Sequence, residues 1–334
     1  MMRLPRLAEL PDSPAREALR SWHAAHPDAG RVAVAYSGGA DSTLLLVEQA
    51  LAGADSKARL HALHVDHGLQ PAAADFVAHC RRFCDALDAQ SPTRLTVGRA
   101  QVHRPPGSSV EAQARAARYD TLAQLARQEG IDTVLLAQHA DDQAETMLIA
   151  LGRGAGLAGL AGMAPAFEHQ DIRFARPWLD LPAPPLRVAL RDHGIPFIDD
   201  PSNKDEQRTR NRLRLRLMPV LEQALPEFRQ TFARSARLAQ AAQQLLDERA
   251  REDLERVGDP PRIASLRELS SARQANLLRH WLKARHGAIG SEAQIDALLA
   301  VLRACTTRGH RIHIKVGEGH VEREGERLAY RPFL

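Results

Sequence analysis

Arg31-Val32-Ala33-Val34-Ala35-Tyr36-Ser37-Gly38-Gly39-Ala40-Asp41-Ser42 decides the fold class of this chain. The first half is an apolar β-type run, and the residues after it, Ser42–Leu51, have a helical pattern. Two glycines at that junction let backbone approach a ligand with no Cβ in the way. A helix N-terminus adds free N–H groups and a positive dipole end, both suited to a phosphate chain. Ser37 and Ser42 supply hydroxyls, and Asp41 is a candidate ligand for hydrated Mg²⁺. The plainer reading is a Gly-Gly turn with Asp41 or Ser42 as N-cap; its place after a buried strand weighs against that. No GxxxxGK[ST] occurs anywhere in the chain, which excludes a Walker loop cutting at the γ-phosphate.

Outward from this junction, strand and helix patterns alternate to about Leu190. Strand candidates are Arg31–Ala35, Arg59–Val65, Arg94–Val97, Asp132–Ala137 and a later run near Ile172–Ala175. Helical stretches cover Ser42–Leu51, Asp75–Leu87, Val110–Glu129 and Asp142–Leu151. Such alternation predicts an α/β fold: a doubly wound, mainly parallel sheet with right-handed crossovers. The runs VAVA and TVLLA read as its buried central strands. After Pro226 the pattern turns helical, with one long helix from Glu227 to about Val257, then Ser271–His286 and Ser291–Cys305. Ser291 and Gln294 form a capping-box pair. The tail alternates like a hairpin around Gly317-Glu318-Gly319. The expected domains are 1–222 and a smaller, mainly helical 223–334 that ends in the hairpin.

The 334 residues suit two domains, and 44% hydrophobic with 26% charged residues excludes wholesale disorder. No apolar run is long enough for a bilayer span, and the start lacks a signal-peptide core. Three cysteines, Cys80, Cys84 and Cys305, are too few for a disulfide framework and lack CxxC spacing. A cytoplasmic protein is therefore expected. The net charge of +4 is concentrated: residues 201–240 hold nine Lys/Arg against four Asp/Glu. A polyanionic partner fits such a cluster. Only four of the 45 basic residues are lysine, so arginine content alone carries no weight.

A second strand-to-helix junction carries Gln138-His139-Ala140-Asp141-Asp142-Gln143-Ala144-Glu145. Asp142 and Glu145 are neighbours on one helical face. Acidic residues in a first helical turn are also ordinary dipole partners. If the first and fourth strands are adjacent at the sheet's switch point, however, this loop faces Ser37–Ser42 across the crevice. Carboxylates there suit Mg²⁺ or a cationic substrate. Gly154, Gly156 and Gly159 formally match GxGxxG but follow a helix, which points to a glycine-rich loop over the site and not a dinucleotide fingerprint. Arg115 and Arg118 share a helix with Glu111, either as surface charges or as phosphate contacts. Arg210, Arg212, Arg214 and Arg216 form basic rows, with Leu213, Leu217 and Leu221 on another side. A solvated face and a phosphate-binding face both fit that pattern.

SGGADS resembles the signature of the PP-loop ATP pyrophosphatases, which cut ATP to AMP and pyrophosphate. With HVDHGL, EAQARAARY, QHADDQAETMLIALGRGAGLAGLAGM and PFIDDPSN…RNRLR, the stretch from about Arg31 to Pro219 closely resembles the tRNA(Ile)-lysidine synthetase family. Beyond Pro226 the likeness is weaker, and longer members of the family continue into a second C-terminal domain. The resemblance implies an N-type PP-loop, HUP-like, Rossmann-type fold and a carbon–nitrogen ligase. It makes 1–222 the PP-loop ATP-binding catalytic domain and 223–334 the tRNA-binding one. ATP with Mg²⁺ would adenylate the wobble cytidine of the CAU-anticodon isoleucine tRNA, and the amine of free L-lysine would displace AMP. It places ATP on Ala35, Tyr36, Ser37, Gly38, Gly39, Ala40, Asp41, Ser42 and Val65, with the metal on Asp41. Asp41, His139, Asp142 and Glu145 are the implied catalytic set. Arg115, Arg118, Arg210, Asn211, Arg212 and Arg214 are the RNA-binding candidates; Arg210 and Asn211 have a structural alternative, bonded back to Asp199 or Asp200. Oligomeric state stays open, a homodimer included. The rivals are a tRNA thiolase of the same superfamily, which needs a cysteine set, an amidotransferase-type synthetase, and a non-catalytic nucleotide- or RNA-binding module.

Overall fold

The computed structural model describes residues 2–53, 59–66, 73–100, 110–305 and 311–333. Two compact units divide them, Met1–Leu238 and Ala239–Leu334, with the division inside the long helix Phe228–Val257.

The first unit is built on six strands: β1 (Val32–Ala35), β2 (Leu60–Asp66), β3 (Thr93–Arg99), β4 (Thr133–Leu135), β5 (Ala166–His169) and β6 (Ile172–Ala175). Their order is β3-β2-β1-β4-β6-β5, and every pair is parallel except β5 with β6. The chain winds outward from β1 through β2 to β3, then returns to place β4 on the other side of β1. The switch point therefore lies between β1 and β4, where the two junctions named above emerge. The five strands expected from the sequence are present. β5 is an addition to them, a short antiparallel edge turned through Gln170 and Asp171, both in the left-handed region.

Period-two alternation sorts β1 between the two faces of the sheet. Val34 and Tyr36 join a core with Leu19 of α1 (Pro14–Ala25), Leu44–Val47 of α2 (Ala40–Ala52) and Phe83 of α3 (Ala73–Asp88). Ala33 and Ala35 pack with Leu122, Ala123 and Ala126 of α4 (Val110–Gln128). Small residues on that side let α4 approach closely, whereas α2 is apolar around most of its circumference because other elements cover it on both sides. Trp178 is fully buried and donates from Nε1 to the Ala15 carbonyl at 3.0 Å, fixing the N-terminal helix to the strand-exit side.

The second unit gathers Leu254, Val257, Leu277, Trp281, Leu298 and Leu302 with Val316, Val321 and Leu328 of its sheet. Ser291 and Gln294 do form the capping box, at 3.3 and 3.0 Å. The tail makes two hairpins: β7 (His313–Val316), β8 (Gly319–Glu324) and β9 (Arg327–Pro332) in antiparallel order. The second turn, at Gly325 with φ +62°, is obscured in the sequence by the charged run around it.

Candidate active site

The β1–α2 junction is a tight loop locked from within. Ser42 Oγ lies 2.9 Å from Ser37 Oγ, accepts the Ser37 N–H at 3.1 Å and donates to the Gly39 carbonyl at 3.0 Å. No side chain caps α2, so the loop's own hydroxyls organise its amides. Gly38 has φ +84°, and a Cβ there would lie 3.0 Å from Cys80 Sγ and 3.3 Å from Ile198 Cδ1. Ala35 and Tyr36 are buried, so what they offer a ligand is backbone only. The Tyr36 ring packs on Phe83, and burial pushes its phenol well above the ordinary pKa. His64, kept neutral by burial, donates from Nδ1 to the Tyr36 carbonyl at 2.9 Å. Val65 lies one residue before the end of β2, paired with Gly98, and packs against the α4 core. His67 and Gly68, the rest of that motif, lie outside the described residues, as does the side chain of Glu111.

The β4–α5 junction stands beside this loop, with α5 covering Ala140–Gly152. His139 is buried, with Nε2 3.4 Å from Asp41 Oδ2 and Nδ1 3.5 Å from Asp142 Oδ2 and 3.8 Å from Asp141 Oδ2. Burial alone would lower its pKa. The Asp142, Asp41 and Asp141 carboxylates outweigh that and raise it to about 9, so the ring is cationic at neutral pH. Asp142 also caps the helix, accepting the His139 N–H at 3.1 Å. The two junctions thus meet through one imidazolium between Asp41 and Asp142.

Glu145, one helical turn on from Asp142, has no exposed surface. Arg214 reaches it with Nε at 2.8 Å and Nη2 at 2.7 Å from Oε1, and touches Asp142 Oδ1 at 3.3 Å. Burial raises the Glu145 pKa, with Arg214 opposing. Arg214, expected among the RNA-facing arginines, therefore points inward. Arg212 and Arg216 point outward, Arg216 paired with Glu206. Asn211 is buried and donates to the carbonyls of Ser202 (2.7 Å) and Asp205 (2.9 Å), not to the Asp199 or Asp200 side chains. Arg210 lies near enough to Glu145 to lower its pKa. On α4, Arg115 is exposed and donates to Tyr119 Oη at 3.2 Å, while Arg118 is half-buried, and desolvation lowers its pKa. The glycine-rich segment is tied down at its end: Gln143 exchanges bonds with both Met163 backbone groups, at 2.7 and 3.1 Å. At Gly152, Gly154 and Gly156 the Cβ space is open.

Three participants escape sequence reasoning. Asp141, off the helical face of Asp142 and Glu145, accepts the Ala183 N–H and Arg229 Nε, both at 2.7 Å. Arg176 is buried, with Nε 3.0 Å from Gln138 Oε1 and its guanidinium 4.8 Å from the centre of the Phe167 ring. Ile198 bonds to the Gly38 carbonyl in an isolated parallel bridge. The alternating run Phe197-Ile198-Asp199 after Pro196 is the only local sign of the last; the other two depend on tertiary placement.

Comparison with known proteins then separates this site from others on the same fold. A family model described as a PP-loop domain matches residues 13–221, and one described as a TilS substrate binding domain matches residues 262–329. A tRNA(Ile)-lysidine synthase of Polaromonas naphthalenivorans is 49% identical over 321 residues, 95% of each chain. The chain belongs to the tRNA(Ile)-lysidine synthase family. A Burkholderia pseudomallei synthase of this name is 43% identical over 285 residues; these are 83% of this chain but only 57% of that protein. Among solved structures, the U34-tRNA thiolase NcsA from Methanococcus maripaludis with its [4Fe-4S] cluster aligns with TM-score 0.55 at 15% identity. That alignment covers 68% of this chain and 78% of the thiolase, and shows the shared fold alone. Cys80 and Cys84 are buried under the sheet, Cys80 pushed up to about 12 by burial, and Cys305 belongs to the second unit. Among the described residues no three His, Cys, Asp or Glu side chains converge as a metal site, and no helix is long and apolar enough to cross a membrane.

Proposed function

We propose that the β1–β4 crevice adenylates the wobble cytidine of the CAU-anticodon isoleucine tRNA and then transfers free L-lysine to it. The supporting observation is the Asp41–His139–Asp142 arrangement joining the phosphate-type loop to a carboxylate pair. ATP phosphates would lie on the amides of residues 37–42, with Ser37 and Ser42 hydroxyls beside them. Mg²⁺ fits a site with one half-exposed carboxylate, because it keeps several waters and takes further oxygens from phosphates. Asp41 would hold it, and the ion when bound would neutralise charge on the leaving pyrophosphate.

The cytidine C2 oxygen attacks the α-phosphorus, the α–β bridging bond breaks, and pyrophosphate leaves. The base has to leave its stack to reach the crevice. His139, cationic and held between acids, stabilises charge developing on the phosphoryl oxygens. Lysine then attacks C2 through its ε-nitrogen, AMP departs with the oxygen, and the nitrogen loses its protons. Asp142 and Glu145 are the anionic partners for that amine, and Glu145, its pKa raised by burial, is placed to take a proton. Outward arginines at 210–216, with Arg115 and Arg118, contact RNA phosphates. The reaction belongs in the cytoplasm, where tRNA and free lysine are available. Incubation with ATP, lysine and the isoleucine tRNA tests this reading. AMP and a lysine-bearing nucleoside should form only with all three, pyrophosphate already with ATP and tRNA, and stoichiometric ADP would refute it.

A further inference from the structure

Arg214 occupies the carboxylate pair that the proposed reaction reserves for lysine. Its guanidinium takes Glu145 Oε1 and Asp142 Oδ1. The other oxygen of Glu145, Oε2, is buried and meets no hydrogen-bond donor among the described residues. A buried carboxylate oxygen without a donor is costly, so the pair is satisfied on one side and short of a donor on the other. An ammonium would supply that donor. With Arg214 in place, however, it would meet a like charge within a few ångströms, against a carboxylate that has no exposed surface. Arg214, at 31% side-chain exposure, is the partly exposed group bonded across that pair.

The backbone that carries Arg214 is suited to moving it. Leu213–Leu217 is a π-helical turn between the α-helical segments Thr209–Arg212 and Met218–Ala224. A π turn holds one more residue than an α turn, and relaxing it rotates the following side chains by roughly 100° about the axis. Its apolar packing is light, since Leu215 is 45% exposed and Leu213 and Leu217 are only half-buried, so the turn is held mainly by the ion pairs of Arg214 and Arg216. Arg212 and Arg216, on the same turns, face outward where phosphates would meet them.

We propose that Arg214 stands in for the substrate ammonium, closing the Asp142–Glu145 pair until RNA docks on the outward arginines and draws Arg214 away. Arg214 is a positioning residue that sets the order of binding, tRNA before lysine. This rests on the lysine-transfer reading of the site. The test is the affinity of ¹⁵N-labelled L-lysine for the full chain, with and without the isoleucine tRNA, for wild type, Arg214→Gln and Arg214→Lys. Without RNA, Arg214→Gln should bind lysine at least about tenfold more tightly than wild type, within the usual range of coupling between sites. Arg214→Lys should stay closed, and RNA should tighten lysine binding to wild type far more than to Arg214→Gln. A gain of affinity cannot arise from damage to the fold. Equal or weaker lysine binding by Arg214→Gln would overturn the proposal, as would wild-type affinity independent of RNA, which needs no variant. If no protein bound lysine even with RNA and no AMP formed, the lysine-transfer reading itself would fall and this inference with it.

Discussion

Ile198 donates its backbone N–H to the Gly38 carbonyl at 2.9 Å, so the phosphate-type loop is braced by a segment that follows the whole sheet. The brace and the left-handed φ of Gly38 act together. An alanine at Gly38 would carry strain of about 1–3 kcal/mol and press on Cys80 and Ile198. Gly38→Ala should therefore lower the melting temperature modestly and raise the KM for ATP by more than that loss explains. Unchanged ATP affinity would show that the loop does not hold the nucleotide.

Charge on His139 predicts a pH signature in ligand-free protein. Its folded pKa, about 9, lies above the ordinary 6.5, so its stabilising contribution is complete below pH 6.5 and fades as pH rises through 9. The contribution is on the order of 3 kcal/mol at its fullest. Relative to His139→Gln, wild type should lose its advantage over that window, measured by denaturant unfolding across pH. Asp41→Asn, which removes one of the three acids, should lower the pKa read by histidine NMR while abolishing turnover.

How far these elements are legible in the sequence depends on how local their cause is. β1, β4 and their glycine or acidic junctions announce themselves by apolar runs followed by helical periodicity. The Asp142–Glu145 pair follows from helix geometry alone. Arg212 and Arg214 fall on different rows of a helix, but nothing local says which row meets the carboxylates, and a π turn over Leu213–Leu217 alters the period there. Asn211 reads as another polar residue in a basic run, yet its side chain closes a loop through two carbonyls. Asp141 and Arg229 meet only after the chain has folded.

Asn211 and Arg212, adjacent in sequence, should fail in different ways. Asn211→Ala removes two part-buried hydrogen bonds, to the Ser202 and Asp205 carbonyls, and should cost about 1–3 kcal/mol of stability. Arg212→Ala should leave unfolding unchanged and weaken RNA binding, flattening the log–log salt slope by about 0.7–0.9 for each phosphate it no longer neutralises. Thermal melts with RNA titrations over a salt series separate the two. Equal salt slopes for wild type and Arg212→Ala would reduce this residue to a solvated charge.

The cysteines give a test that bears on chemistry. Burial raises the thiol pKa of both Cys80, to about 12, and Cys84, so neither offers a thiolate near neutral pH. A sulfur-transferring enzyme needs thiolates that meet its substrate or cluster. Iodoacetamide at pH 8 should leave all three thiols unmodified in native protein and alkylate all three in denaturant. Cys80→Ser should then retain turnover, apart from any loss through packing beside Gly38. Cys80→Ala, which adds no polar group to the core, serves as its control. Rapid native labelling of Cys80 or Cys84, coupled to loss of activity, would reopen thiol chemistry in a crevice that otherwise offers an imidazolium, carboxylates and loop amides.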